Sequence, residues 1–141
     1  MTALKGIIRL HRWMLDEKRR SLADLQVFVE KLRDDLTQLD RDLEKERQAA
    51  EADQEVGVAY STYVAAALER REKLCRTIGD LEKQVELARL EVADAFEELK
   101  KFEIARDNAE ILDSNQRSKR ERLNLDEAGI SIYRRHKASS E

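Results

Sequence analysis

Proline is absent from this sequence, glycine occurs four times (Gly6, Gly57, Gly79 and Gly129), and aromatic residues make up only 5% of it. Each scarcity excludes something. Strands joined by tight turns need Gly, Pro and Asn at their corners, so a sheet protein is not expected. Few aromatics together with 40% charged residues leave little to fill a compact core. A single cysteine, Cys75, excludes an internal disulfide and fits a reducing compartment. No apolar run approaches the ~20 residues that span a bilayer. The apolar opening stretch, "GIIRLHRWML", is broken by Arg9, His11 and Arg12 and followed by Asp16 and Glu17, so it does not read as a signal peptide. With a net charge of −3 the chain as a whole is not a polyanion binder.

Helices need almost no turn residues, and what is abundant here suits them. Leu22, Leu25, Val29, Leu32, Leu36, Leu39 and Leu43 alternate in steps of three and four. That is a heptad seam, with Leu22, Val29, Leu36 and Leu43 at position a and the others at d. Extended backwards it takes in Leu15, Ile8 and Leu4, with His11 and Lys18 as weak d positions. A second seam runs through Val64, Ala67, Arg71, Leu74, Ile78, Leu81, Val85, Ala88, Val92, Ala95, Leu99 and Phe102. Between them lies "KERQAAEADQEVGVAYST", whose seam positions (Glu46, Ala50, Asp53 and Gly57) cannot form an apolar core.

This pattern predicts an all-α fold: a long antiparallel two-helix coiled-coil hairpin with helix 2 overhanging helix 1. The whole chain, 1–141, is one coiled-coil domain. Helix 1 is expected over about 3–53, the reversal at about 54–58 with Gly57 ending helix 1, helix 2 over about 59–127, and a basic C-terminal tail at 128–141. Asp113-Ser114-Asn115 and Gly129 are candidate interruptions, and the last four residues are expected to be disordered. Residue i then lies roughly opposite residue 110 − i, so Leu36 meets Leu74. The heptad phase does not slip across Gly57, which leaves a second architecture open: one unbroken helix in a parallel dimer, acting as a generic tether or scaffold.

Charge is unevenly placed. Residues 30–55 carry ten acids and five bases, whereas residues 5–20 carry six bases and two acids. Further bases follow at Arg117, Lys119, Arg120 and Arg122, then at Arg134, Arg135 and Lys137. "RSKRER" and "YRRHK" raise a nucleic-acid reading, which an acidic chain with few bases makes weak. The two histidines, His11 and His136, have no spaced partners, and no phosphate-binding glycine loop occurs. No enzyme, metal site or cofactor is expected. Cys75 reads as a small apolar flank of the seam, and Trp13 falls at position f, outside it.

The opening "IIRLHRWMLDEKRRSLADL", the hairpin length and the basic end "ISIYRRHK" together resemble the FliJ family. This is the general soluble component of the bacterial flagellar type III export apparatus. The resemblance implies a non-catalytic cytoplasmic protein, peripheral to the inner membrane through its partners only. Those partners are the hexameric export ATPase, the cytoplasmic domain of the export gate, and export chaperones. It further implies gate binding through the stretch holding Tyr60, Tyr63, Ala67 and Leu68. ATPase binding is implied at the end bearing both termini, where Arg12, Trp13, Lys18, Arg19 and Arg20 join Arg117, Lys119, Arg120 and Arg122.

Overall fold

The computed structural model describes residues 2–52 and 57–140, with side chains from 3 to 52 and from 59 to 140. They form two helices, α1 (Thr2–Ala52) and α2 (Gly57–Ser139), which pack against each other as an all-α helical hairpin. No residue among those described adopts a positive φ or a cis peptide, and none lies in a strand. The chain divides into two compact units.

One unit, His11–Glu97, is an antiparallel helix pair. Leu15, Val29 and Leu39 from α1 and Ala67, Ile78 and Val85 from α2 are buried. Leu22, Leu25, Leu32, Leu36 and Leu43, with Leu74, Leu81 and Val92, are half-buried. The heptad seam is therefore the contact surface. Among the described residues no large side chain is completely buried. Two helices can shield a side chain from one direction only, so a seam of this kind closes with its rim still wet. Arg71 occupies an a position by laying its stem in the seam while its guanidinium reaches Asp40.

Ion pairs among the described residues cross between the helices, Lys18 to Glu91 at 3.0 Å, Arg33 to Glu82 at 2.6 Å and Arg71 to Asp40 at 2.8 Å. The residue numbers of these pairs add to 109, 115 and 111, which brackets the expected 110. Opposition within one chain makes this a hairpin and not one unbroken helix.

The other unit joins Met1–Leu10 to Glu98–Glu141. Ile8 and Leu99 are buried, while Leu4, Phe102, Arg106 and Ala109 are half-buried. From residue 110 to residue 140 every side chain is exposed. α1 begins at Thr2, so the register in which residue i faces about 110 − i sets no part of it opposite this stretch.

Several expectations need correction. Gly57 opens α2 instead of ending α1. The rest of the expected reversal, residues 54–56, lies outside the described residues. α2 does not stop near residue 127, and 128–141 is not a separate tail. The helix continues through Asp113-Ser114-Asn115 and Gly129 to Ser139, with Ser140 in a turn. A glycine inside a helix costs about 1 kcal/mol, less than the renucleation needed to start a new helix beyond it. Cys75 is exposed and so adds nothing to the seam.

Candidate partner-binding surfaces

The first turns of α2 carry the four residues expected to face the export gate. The structure does not bring them to one surface. Ala67 is 6% exposed and closed within the seam, and Tyr60, two turns earlier, is half-buried. Tyr63 and Leu68 are open, at 38% and 51%. They are five residues apart, hence about 140° apart around a helix that turns 100° per residue. Tyr63 and Leu68 thus flank the seam on opposite sides.

Tyr60 lies near Arg47, which bonds Glu44 at 2.6 Å and also reaches Glu51. The Glu44 hydrogen bond is the main reason the Arg47 guanidinium is held ionised well above its ordinary range. The same bond holds the Glu44 carboxyl below the usual carboxylate value. Tyr60 is therefore bordered by a local charge cluster on α1, a signal that aromatic spacing alone does not contain.

The basic residues of α1 are partly spent inside the hairpin. Lys18 donates to Glu91 at 3.0 Å, and Arg20 donates to Glu17 at 3.0 Å. Arg12 and Arg19 are exposed, and Trp13 is 60% exposed at the outside position its heptad number assigns. Arg117, Lys119, Arg120 and Arg122 belong to the other unit. All four are exposed, and none has an ion pair among the described residues.

The heptad reading missed the apolar residues of that same stretch. Leu112, Leu123, Ile130 and Tyr133 are between 52% and 66% exposed. Their spacing of three and four was present in the sequence, shifted in phase from the seam and interrupted by polar residues.

An open groove of about 550 Å³ runs between Val29 and Arg33 on α1 and Glu82 and Val85 on α2, and its rim is charged. Among the described residues no cluster of His, Cys, Asp and Glu is arranged to hold a metal ion. No described helix is long and apolar enough to cross a membrane. Compared with family models, curated proteins and solved structures, the chain matches none of them.

Proposed function

We propose that this protein is a non-catalytic stalk of a flagellar type III export apparatus. In this reading it links the hexameric export ATPase to the cytoplasmic domain of the export gate and assists chaperone and substrate delivery. It would be cytoplasmic and reach the inner membrane only through those partners. The FliJ-like opening and basic end of the sequence motivate the reading. The observation that carries it is the stretch of α2 beyond residue 109. This is about 30 residues of helix, ~45 Å at 1.5 Å per residue, with every side chain exposed and four neighbouring bases that have no ion pair among the described residues. A helix displayed in this way is suited to enter an acidic opening in a larger assembly.

The test is charge reversal. Arg117, Lys119, Arg120 and Arg122 are changed together to Glu, which is about as good a helix former as Arg or Lys. Stimulation of the export ATPase should be lost while circular dichroism stays unchanged. Undiminished stimulation would sink the proposal, because exposed charges acting through long-range attraction cannot survive sign reversal. Single substitutions should do little, since each exposed pair is worth about 0 to 1 kcal/mol.

A further inference from the structure

The uncovered part of α2 has a pattern of its own. Leu112, Gln116, Lys119, Leu123, Asp126, Ile130 and Tyr133 recur in steps of four and three. This is a heptad stripe built on positions g and d of the main seam's numbering, so it is turned about 50° from the surface that faces α1. All seven side chains are exposed. Charge is arranged symmetrically about the middle of the stripe and opposite in sign. Lys119 precedes Leu123 by four residues, and Asp126 follows it by three. On one flank, Asp113 and Arg120 precede the centre while Glu127 and Arg134 follow it. The first half of such a stripe is the chemical complement of its own second half, read backwards.

We propose that this face binds a second copy of the same chain, antiparallel, about a two-fold axis at Leu123. Residue i then faces about residue 246 − i across an isologous helix–helix contact, in which like positions of the stripe meet about the axis. Leu123 packs on its own copy, Lys119 meets Asp126, Gln116 meets Ile130, and Leu112 meets Tyr133. Along one flank Asp113 faces Arg134 and Arg120 faces Glu127, each pair occurring twice by symmetry. On the other flank Arg122 approaches its own copy, and Asp126, one turn away on the same helix, offsets that repulsion.

Two further observations favour this pairing. The uncovered stretch, 110–139, is centred within two residues of Leu123, so the two copies overlap along its whole length and end where the cover at Ala109 begins. The competing face is worse. Ile104, Ile111, Leu125 and Ile132 form a neighbouring stripe, and its antiparallel pairing closes on Ser118 and sets Arg117 against Lys119. Parallel pairing is worse at the stripe itself, because it places Lys119 and Asp126 each opposite its own copy. The proposed contact engages Lys119 and Arg120, which the ATPase reading also uses. Self-association and docking on the ATPase are therefore mutually exclusive, and the dimer is a form held in reserve.

The experiment uses the full-length chain carrying Cys75→Ser, with new cysteines at exposed positions. Leu123→Cys should cross-link to itself under mild oxidation, since a disulfide needs Cα atoms about 5.5 Å apart. Leu112→Cys should cross-link to Tyr133→Cys in a mixture of the two proteins and not to itself. The solution mass of the native chain should rise from 16.4 kDa toward twice that value with concentration. Asp113→Arg and Arg134→Asp should each weaken the dimer about tenfold, as two attractive pairs turn repulsive. The double swap should restore it. Self-linking of Leu112→Cys, a monomeric mass at the highest attainable concentration, or a double swap no better than either single change would each overturn the proposal.

Discussion

At the scale of single residues, the seam is held by side chains that are half-covered and individually modest. Leu36 and Leu74 both line it, and their numbers fit the observed register. Placing a carboxylate there removes apolar contact and leaves a charge with no cation built to meet it. Leu36→Asp should cost on the order of 2–3 kcal/mol, discounted for the wet rim. That lowers the melting temperature by roughly 5–10 °C for a chain of this size. Leu74→Asp should do the same. A thermal melt in which only one of them matters would show that they do not share a layer.

The Glu44 carboxylate offers a pH measurement at the same scale. Its pKa is lowered in the folded chain, chiefly by the hydrogen bond from Arg47. A lowered carboxylate contributes stability that is present above its unfolded pKa and lost as pH falls through the folded value. Arg33, Arg47 and Arg71 are raised from an already high value, so their contributions do not change near neutrality. Glu44→Gln should therefore melt slightly below the native chain at neutral pH. The gap should close as the solution is acidified below about pH 4. A gap that persists in acid would mean that Glu44 acts through packing and not through charge.

Helices are the scale at which the sequence was easiest to read and also where it misled. Every a and d position assigned from Leu22 to Leu43 and from Val64 to Phe102 is buried or half-buried. Such a seam is legible because a 3.5-residue period over several turns has no other cheap solution. The helix ends were not legible. Asp113-Ser114-Asn115 and Gly129 are local signals of about 1 kcal/mol or less, and the helical turns on either side of them outweigh those signals. The exposure of the residues singled out for partners was legible only in part. Arg117 to Arg122 stand open as their charge suggested, whereas Ala67 and Tyr60 serve the seam. Aromatic spacing cannot tell these two roles apart, because the seam itself steps by three and four residues. Gly129 supplies a test of the continuous helix. A Cβ added there meets nothing within 4 Å. Gly129→Ala should raise helical content by circular dichroism and stabilise the local helix by about 1 kcal/mol. A loss of helicity would mean that the glycine marks a true break.

At the scale of the whole molecule, one continuous helix passes from a stretch with a neighbour to a stretch without one. Cooperativity does not extend uniformly along it. Helices without tertiary cover are marginal in water even at this length, so the backbone amides of residues 110–139 open by fraying inward from Ser139. Deuterium should enter there within the earliest exchange times, while amides beside Val29 and Val85 hold their hydrogens far longer. Seven Lys and Arg residues lie in the same stretch, so trypsin finds cleavable bonds wherever the helix breathes. Anything that settles on this segment, whether another copy or a larger assembly, slows both reactions at once. The protein thus carries its own footprinting label, and occupancy is written as the survival of its C-terminal peptides.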